Sequence, residues 1–421
     1  MFGRRTFLAA TGAAVLAPLC AHARRGAARV VVVGGGFGGA TAARYLRLAD
    51  PSLDVTLIAD SPRYTCCPRS NDVIAGAVPL AALERGYERL RTDFAVRVIV
   101  GRAIGIDADR ARVRLAGGGA VGFDRVVAAP GIDLRWGSPQ GYDRAAAARM
   151  PHAWRAGAQT LLLRRQLRAM GDGGVFAIAI PPRPFRCPPG PYERAGLVAA
   201  WLGRHKPRSK VLVLDANDGF TKQALFLAGW QALYPGRVEW VPLSADGAVR
   251  RVDPRSGELF CEAQVHRPAV ANVIPAQAAA RIALDSDLVD ATGWCPVRPQ
   301  TFESSRVPGV HVIGDACIAE PMPKSASAAA SQAKACALAV AALAAGQAPP
   351  PVSLHNTCYS ELDADYAISI NAIYRVADGR IVAVPGSGGT SPADAGRDFR
   401  AAEARNARGW FRSIAADAFG E

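Results

Sequence analysis

The chain has 421 residues, of which 50% are apolar and 20% are charged, and this balance fits a compact globular protein. The length is enough for two or three domain-sized cores. The formal net charge of +14 comes from scattered arginines, since only 5 of the 50 basic residues are lysines. Because the sequence has no basic block and no interleaved aromatic residues, it gives no support to a nucleic-acid-binding protein.

The first 23 residues have the pattern of an export signal. Arg4 and Arg5 precede an apolar run that ends at Ala21-His22-Ala23, a small-x-small cleavage site. The apolar run is too short to span a bilayer. We interpret residues 1–23 as a twin-arginine signal and expect a mature, periplasmic chain that begins near Arg24. The alternatives are an uncleaved anchor and a chance match.

The mature chain opens with the fingerprint of a dinucleotide-binding fold. A buried strand, Val30–Val33, leads into a G-x-G-x-x-G motif, an alanine-rich helix, and a second strand that ends at an acid, Asp60. The motif glycines are Gly34, Gly36 and Gly39. They permit a tight turn and a close approach of the backbone to a pyrophosphate, and Asp60 can hold a ribose hydroxyl. The complete series is far more specific than the glycines alone.

Two later segments complete this pattern. Gly122–Ile132 predicts another buried strand that ends in a turn of small residues, with Ala129 and Gly131 near the nucleotide. Val307–Ser327 predicts a strand, then Asp315, then a turn into a long helix of Ala, Ser and Val. This arrangement is typical of flavoproteins with two dinucleotide-binding domains, in which the aspartate contacts the ribityl chain and the helix N-terminus faces the flavin ring. We therefore expect FAD.

Between these segments lies a second α/β region, in which "GGVFAIAI" and "KVLVLDAND" predict the first two strands. A glycine-rich phosphate loop would normally follow the first strand. Here the sequence is "PFRCPPGPYERAG", with Cys187 between prolines. Proline has no N–H to offer a pyrophosphate, and its ring blocks close approach. Binding of NAD(P)H is therefore disfavoured, and the electrons are expected from another donor.

The last seventy residues predict a two-stranded hairpin around Asp378-Gly379 and a terminal amphipathic helix. The predicted fold class is α/β, with two Rossmann-type dinucleotide-binding-like domains and a smaller α+β C-terminal domain. We assign residues 24–140 and 281–350 to the FAD-binding domain, 141–280 to a second nucleotide-binding-like domain without an NAD loop, and 351–421 to the C-terminal domain.

Six segments resemble the flavoprotein subunit of flavocytochrome c sulfide dehydrogenase, in the family's order: "PHAWRAGAQT", "PFRCPPGPYERA", "GWCPV", "TFESS", "HVIGDACIAEPMPKS" and "NTCYS". The resemblance covers nearly the whole mature chain. It implies sulfide as the substrate and a c-type cytochrome subunit as the partner, docked at the C-terminal domain. The chain itself has no C-x-x-C-H haem site, and its cysteines and histidines do not cluster as metal ligands.

The resemblance also implies a thioether between FAD and a cysteine in "YTCCPRSNDVIAG". Counting back from Ser70-Asn71 favours Cys67 over Cys66. The alternatives are two ordinary buried thiols or a strained vicinal disulfide. On the same count, the ribose-binding acid of the family matches Ala59, one place before Asp60.

The resemblance further implies a redox-active disulfide between Cys187 and Cys358 beside the flavin. The alternatives are two structural thiols and an inert staple. Glu193 follows Cys187 by six residues as a possible proton acceptor, and its alternative is an ordinary helix acid. Lys324, before the late helix, would stabilise negative charge on reduced flavin, unless it is a surface lysine.

Three other functions are weighed against this one. A sulfide:quinone oxidoreductase shares the FAD frame and the sulfur chemistry, but reduces quinone at a membrane. An NADH-oxidising flavoprotein is disfavoured by the proline loop. A non-catalytic FAD-binding assembly or interaction protein would be supported by loss of the redox cysteines, but both are present.

Overall fold

Two sheets, each built around parallel strands, organise residues 27–421, the part of the chain that the computed structural model describes. The predicted export signal, residues 1–23, lies outside the described residues. The strands and helices alternate through both sheets, so the fold class is α/β, as predicted. A smaller region of antiparallel strands and one long helix follows at the C-terminus.

The strands within residues 27–421 are β1 (Arg29–Val33), β2 (Asp54–Ala59), β3 (Tyr64–Thr65), β4 (Glu84–Arg85), β5 (Arg97–Val100), β6 (Ala103–Asp107), β7 (Arg112–Leu115), β8 (Ala120–Gly122), β9 (Arg125–Ala128), β10 (Ile132–Leu134), β11 (Val175–Ile180), β12 (Lys210–Asp215), β13 (Val238–Val241), β14 (Arg251–Asp253), β15 (Glu258–Phe260), β16 (Val265–His266), β17 (Val270–Val273), β18 (Gln277–Ala279), β19 (Cys295–Arg298), β20 (Glu303–Ser304), β21 (Val310–Val312), β22 (Cys317–Ile318), β23 (Ser353–Asp363), β24 (Tyr366–Ala377), β25 (Arg380–Ala383) and β26 (Gly389–Thr390).

The α-helices of the same described range are α1 (Phe37–Ala49), α2 (Ser70–Ala75), α3 (Glu88–Thr92), α4 (Ala158–Ala169), α5 (Gly190–His205), α6 (Gln223–Leu233), α7 (Arg281–Leu284), α8 (Ala326–Ala344) and α9 (Arg397–Phe419).

The first sheet has eight strands in the order β22-β19-β20-β21-β9-β1-β2-β5. Its central strand β1 pairs in parallel with β2 on one side and with β9 on the other. Residues Val30–Val33 are at most 4% exposed, and β1 contacts helix α1 and strand β8 in addition to its partners in the sheet. Strand β21, which comes late in the chain, pairs in parallel with β9, so the late segment returns to the same sheet as the first glycine motif.

The glycine motif runs from the end of β1 into the first turn of α1, as predicted, and steric contacts explain two of its glycines. Gly34 has φ +107°, and a Cβ there would lie 2.2 Å from the carbonyl oxygen of Ala129. A Cβ on Gly39 would lie 1.8 Å from the carbonyl oxygen of Gly34. Both neighbours are backbone atoms that cannot rotate away, so the close approach of helix and strand requires glycine.

The second parallel sheet has the order β13-β12-β11-β17. The two strands predicted from the sequence, β11 and β12, are neighbours in register from Val175↔Lys210 to Ile180↔Asp215. Helix α5 follows β11 directly through the proline-rich loop. The carboxyl end of β11 therefore delivers this loop to the edge of the sheet where ligands bind in doubly wound folds.

The C-terminal region returns to both sheets. Strands β24 and β25 form the predicted antiparallel hairpin around the Asp378-Gly379 turn, and β23 pairs antiparallel with β24 on its other side. Strand β23 packs against α5 and α8, and α9 packs against α1 and β24. The aromatic ring of Phe419, at the end of α9, stacks on Tyr64 at 5.9 Å and meets Phe37 edge-on at 5.7 Å. The last helix therefore lies against the glycine-motif end of the first sheet.

Helix α8 is the one helix of the described chain that is long and apolar enough to cross a membrane. About 67% of its apolar window is buried inside the protein. It packs along α1 and against β23. These contacts account for its small apolar side chains, which allow close helix packing, and the helix is the long helix of Ala, Ser and Val that was predicted after Asp315.

The close contact at Gly39 gives a test of the fold. We expect Gly39→Ala to lower the free energy of unfolding by about 2 kcal/mol or more, since the new Cβ meets backbone. The matched control is Gly203→Ala in α5, where a Cβ would only come within 3.9 Å of Arg237 Nε. That change should raise stability by up to about 1 kcal/mol, because alanine favours helix. Equal denaturation midpoints for the two variants would contradict this packing.

Candidate active site

A cavity of about 1400 Å³ lies between the two parallel sheets and the C-terminal hairpin. The predicted site residues that line it are Gly34, Gly36, Asp60, Cys67, Ala129, Gly131, Cys187, Glu193, Asp315 and Cys358. Gly39 and Lys324 do not line it. The structure therefore brings together residues from the first glycine motif, the proline-rich loop and the C-terminal region.

One end of the cavity has the chemistry of a nucleotide site. Gly36 is the residue before α1, so the helix N-terminus points its free N–H groups toward the cavity. Asp60 is the first residue after β2 and is exposed on the cavity wall, whereas Ala59 is 1% exposed within the sheet. The geometry therefore favours Asp60, not Ala59, as the residue that can reach a ribose.

Asp315 supplies a second feature that fits a flavin nucleotide. It lies in a 3₁₀ turn after β21, and its buried Oδ1 has no hydrogen-bond partner among residues 27–421. Burial raises the pKa of this carboxyl group, although the nearby Arg186 and Lys324 act in the opposite direction. An acceptor held in this way matches the hydroxyl donors of a ribityl chain.

The two adjacent cysteines have different environments. Cys66 is fully buried, and burial raises the pKa of its thiol to about 12. Its backbone N–H donates to the carbonyl oxygen of Leu83 at 2.9 Å. This hydrogen bond ties the Cys66 segment to the residue that precedes β4. Cys67 is partly exposed and lines the cavity, whereas Cys66 does not. Only Cys67 is therefore placed to meet a ligand in the cavity.

Cys187 is held on the proline-rich loop in a left-handed backbone conformation, with φ +54°. Its N–H donates to the carbonyl oxygen of Lys324 at 2.8 Å, and its own carbonyl accepts from Gly190 N at 2.9 Å. A Cβ on Gly190 would lie 3.0 Å from Cys187 Sγ, so glycine at the start of α5 leaves room for the sulfur. The loop therefore presents the sulfur from a fixed backbone.

Cys358 reaches the same cavity from the middle of β23, although it is distant in sequence. Both cysteines are thiols in this structure. Burial raises the pKa of the Cys187 thiol, and the negative charge of the Cys358 thiolate raises it further. Burial also raises the pKa of Cys358, partly offset by the ammonium group of Lys222. Both thiols thus lie at partly buried positions in the wall of the same cavity.

Glu193 lies beside the cysteines in the first turn of α5. Its Oε2 accepts a hydrogen bond from Asn71 Nδ2 at 2.8 Å, and its Oε1 accepts one from the backbone N of Glu361 at 3.0 Å. Burial and the negative charge of Asp72 raise the pKa of Glu193 to about 7. A carboxyl group with this pKa can gain and lose a proton near neutral pH.

A buried arginine that the sequence analysis missed holds this part of the cavity in place. Arg194 is 1% exposed, and its guanidinium donates to Asn71 Oδ1 at 3.0 Å and to Asn272 Oδ1 at 2.7 Å. It also donates to the carbonyl oxygens of His152 and Ala153. Arg194 is adjacent to Glu193 in "PYERA", but nothing local in the sequence signals that it is buried.

Arg186 is a second residue that the sequence analysis missed. It precedes Cys187, lines the cavity, and donates from its guanidinium to the carbonyl oxygen of Trp154. Its backbone N donates to Gln277 Oε1 at 2.9 Å. The charges of Cys67, Asp315 and Cys187 act to raise the pKa of Arg186, against its burial. This cation therefore lies among the predicted flavin-binding and sulfur-bearing side chains.

Lys324 differs from both interpretations offered by the sequence. Its ammonium group donates to the carbonyl oxygens of Asp315 and Cys317, each at 2.9 Å, and lies 3.8 Å from the ring centroid of Trp294. Burial lowers its pKa. The side chain is thus neither a free surface lysine nor a part of the cavity wall. It braces the turn that carries Asp315.

Among residues 27–421, no group of three His, Cys, Asp or Glu side chains is arranged to hold a metal ion.

Three family models match the chain. The sulfide dehydrogenase [flavocytochrome c] flavoprotein chain, central model covers residues 160–275, and the flavocytochrome c sulphide dehydrogenase, flavin-binding model covers residues 350–419. The pyridine nucleotide-disulphide oxidoreductase model covers residues 28–145. The first two matches include the segments that carry Cys187, Glu193 and Cys358.

Individual relatives agree with these matches. The flavoprotein chain of sulfide dehydrogenase [flavocytochrome c] from Chlorobaculum thiosulfatiphilum is 58% identical over 48 residues, 11% of this chain and 100% of that sequence. A sulfide-quinone reductase from Aquifex aeolicus (strain VF5) is 34% identical over 112 residues, 27% of this chain and 26% of its own length.

A solved structure of the sulfide:quinone oxidoreductase from Aquifex aeolicus has the same overall fold, with a TM-score of 0.73 at 17% identity. The match covers 94% of this chain and 93% of that one. With the family models and the Chlorobaculum thiosulfatiphilum sequence, this places the chain in an FAD-dependent group of disulfide oxidoreductase folds. The chain belongs to the family of the flavoprotein chain of flavocytochrome c sulfide dehydrogenase.

Proposed function

We propose that this protein oxidises hydrosulfide to sulfane sulfur through a Cys187–Cys358 disulfide and passes the electrons, by way of FAD, to a c-type cytochrome subunit. The observation that carries the proposal is the meeting of Cys187, Cys358 and Glu193 in the cavity that also holds Gly34, Asp60 and Asp315. The family membership and the name of the Chlorobaculum thiosulfatiphilum relative support sulfide as the substrate.

The sulfur chemistry begins with the disulfide form of the two cysteines. Hydrosulfide attacks one sulfur, a new S–S bond forms, and the Cys187–Cys358 bond breaks with its electron pair on the other sulfur. The products are a persulfide on one cysteine and a thiolate on the other. A second hydrosulfide then attacks the outer sulfur of the persulfide, and the product leaves as hydrodisulfide. Two cysteine thiolates remain. They form the disulfide again when two electrons leave the pair.

The surroundings of the cysteines suit this reaction. Thiolates must exist transiently in the cavity, and the nearby Lys222 ammonium group favours the thiolate of Cys358. Lys222 Nζ donates to Ser360 Oγ at 2.9 Å, so it is fixed on the strand that carries Cys358. Glu193, with its pKa raised to about 7, accepts the proton that the substrate sulfur releases.

The residues of the cavity also fit the electron acceptor. FAD, when bound, supplies a two-electron acceptor that can return electrons singly to a cytochrome. Gly34 and Gly36 would hold its pyrophosphate, Asp60 a ribose and Asp315 the ribityl chain. Arg186 would bring positive charge to the region where reduced flavin carries negative charge. The sequence had suggested Lys324 for this role, but the ammonium group of Lys324 is held by backbone carbonyl oxygens instead. Cys67 would form a thioether to the flavin.

The site of action is part of the proposal. The twin-arginine pattern supports export of the folded, cofactor-loaded protein to the periplasm. In that compartment a disulfide such as Cys187–Cys358 persists. The C-terminal region, which carries Cys358 and ends at α9 over the glycine motif, is the proposed surface for the cytochrome.

A sulfide:quinone oxidoreductase is the second candidate, because the Aquifex aeolicus enzymes of that name match in sequence and in fold. The two functions differ in the electron acceptor, not in the sulfur chemistry. Sulfide-dependent reduction of a soluble quinone analogue by the isolated chain would favour the quinone acceptor. Co-purification of a haem protein from the native host would favour the cytochrome.

The redox cysteines give the first test of this function. Under anaerobic conditions we expect sulfide to bleach the flavin absorbance of the wild-type holoprotein, and Cys187→Ser to slow this bleaching by about a thousandfold or more, since the covalent step is lost. Dithionite should still bleach the variant. The matched control is Cys261→Ser, a buried thiol outside the cavity, which should behave as wild type. Full sulfide-dependent bleaching of the Cys187→Ser protein would refute the disulfide mechanism.

The covalent flavin gives a second, independent test. After denaturation and precipitation, we expect flavin fluorescence to remain with wild type and with Cys66→Ala, and to be lost from Cys67→Ala. The reason is that Cys67 lines the cavity and Cys66 is fully buried. The measurement is in-gel fluorescence with mass spectrometry of the peptide that contains both cysteines. Retention of flavin by Cys67→Ala, or its loss from Cys66→Ala, would show that the assignment is wrong.

A further inference from the structure

Behind Glu193 the protein contains a second cavity, of about 860 Å³, that the sulfur chemistry does not use. Three residues line both this cavity and the active-site cavity: Arg69, Asp72 and Glu361. Asp72 and Glu361 are each only 5% exposed. The two carboxyl groups therefore form part of the partition between the two spaces, with Glu193 on the active-site side.

The partition is a connected set of polar contacts. The backbone N of Glu361 donates to Glu193 Oε1 at 3.0 Å, so the two residues are locked together across the α5–β23 contact. The carboxyl groups of Glu361 and Asp72 both face the Arg69 guanidinium, whose Nη2 contacts both of them. Asn71, next to Asp72 in α2, donates to the other oxygen of Glu193. The carboxyl groups of α2, α5 and β23 thus meet at one place.

Cations face this cluster from several elements. From the position just before α2, Arg69 Nη2 lies 3.1 Å from Asp72 Oδ1 and 3.7 Å from Glu361 Oε2. From α9, Arg408 Nη1 lies 3.0 Å from Glu361 Oε1. Lys222, before α6, acts on Glu193 from the side of Cys358. Three carboxyl groups therefore face three cations in this cluster.

The proposed reaction needs a group that removes a proton from the active-site cavity. Two hydrosulfide ions give hydrodisulfide, two electrons and one proton, and the cavity in which this happens is also the one that must hold the cofactor. Glu193 can take the proton, but it must be deprotonated again before the next turnover. The carboxyl groups of Asp72 and Glu361, which also line the second cavity, provide a route by which this proton leaves the active site.

Resting on the function proposed above, we propose that Asp72 and Glu361 relay the proton from Glu193 to water in the second cavity. The proton passes from the carboxyl group of Glu193, through water in the active-site cavity, to the Asp72–Glu361 pair. It leaves as hydronium on the other side, and no electron moves in this step. Asp72 and Glu361 regain their starting state, so the relay is ready for the next turnover.

The ionisation of these groups agrees with the relay. Burial and Asp72 raise the pKa of Glu193 to about 7, and burial and Asp72 also raise the pKa of Glu361. Glu361 can thus accept a proton that Glu193 gives up near neutral pH. The second cavity is lined by basic side chains, which disfavour retention of the proton: Arg164, Arg168, Arg204, His205 and Lys206.

The test is made on the holoprotein. Sulfide is added repeatedly, and a cytochrome or ferricyanide reoxidises the flavin between additions. Stopped-flow absorbance measures the bleaching of the flavin in each cycle. We expect Glu361→Gln and Asp72→Asn each to slow steady turnover by about tenfold or more. Sodium formate, a small carboxylate that can enter from the second cavity, should restore a large part of the rate in both variants. Dithionite should bleach all proteins equally.

The control is Asp363→Asn, since Asp363 lines only the second cavity and pairs with Arg204 at 3.3 Å. It should turn over at the wild-type rate, with or without formate. Because Glu361→Gln also removes a partner of Arg408, denaturation midpoints are measured for every variant. If Glu361→Gln does not fold, Asp72→Asn, which keeps the Glu361–Arg408 pair, decides the question.

The outcomes separate the two proposals. If sulfide does not bleach the wild-type protein, the proposed function fails and the relay fails with it. If sulfide bleaches the wild type but Glu361→Gln and Asp72→Asn turn over at its rate, the relay is wrong and the function stands. Slow turnover that formate does not restore would assign these residues a structural role and would also overturn the relay.

Discussion

The arrangement of the site depends on one contact, the packing of the first turn of α5 against β23. The hydrogen bond from the backbone N of Glu361 to Glu193 Oε1 joins the two elements at 3.0 Å. Helix α5 carries the loop of Cys187 at its start, and β23 carries Cys358 three residues before Glu361. Without this contact the two sulfurs would belong to separate parts of the protein, and the cavity would have no redox pair.

The contact is costly in electrostatic terms, and the structure shows what offsets that cost. A carboxyl group buried beside Asp72 and Glu361 meets two other negative charges in a region of low dielectric. Asn71 and the backbone N of Glu361 donate to Glu193, while Arg69 and Arg408 hold the neighbouring carboxyl groups. The residual cost appears as a raised pKa of Glu193, and this raised pKa is what makes the residue useful as a proton acceptor near neutral pH.

Much of the fold could be predicted from the sequence because its signals are local. The run of valines in β1, the glycine motif, and the Asp378-Gly379 turn each specify their own structure within a few residues. The proline-rich loop also predicts, by local chemistry, a site where a phosphate cradle is absent. Asp60 and Asp315 were found for the same reason, since Asp60 directly follows β2 and Asp315 lies in the turn that follows β21, both strands of the first sheet.

The rest of the site depends on long-range packing, which no local pattern encodes. Composition and spacing could not pair Cys187 with Cys358, and only the family resemblance indicated the pair. Arg194 and the Asp72–Glu361 pair gave no signal, because their burial arises where α2, α5 and β23 meet. The sequence alone also could not predict that the Lys324 side chain turns toward two backbone carbonyl oxygens.

The central claim is that Cys187 and Cys358 form a redox pair in contact with the flavin. The most direct measurement is an anaerobic titration of the oxidised holoprotein with a calibrated reductant, followed by thiol labelling and mass spectrometry. The account predicts uptake of two electrons by the flavin and a further two by the disulfide, with label appearing on Cys187 and Cys358 only as the second pair is taken up. Uptake of two electrons alone, with both cysteines labelled before any reductant is added, would contradict it.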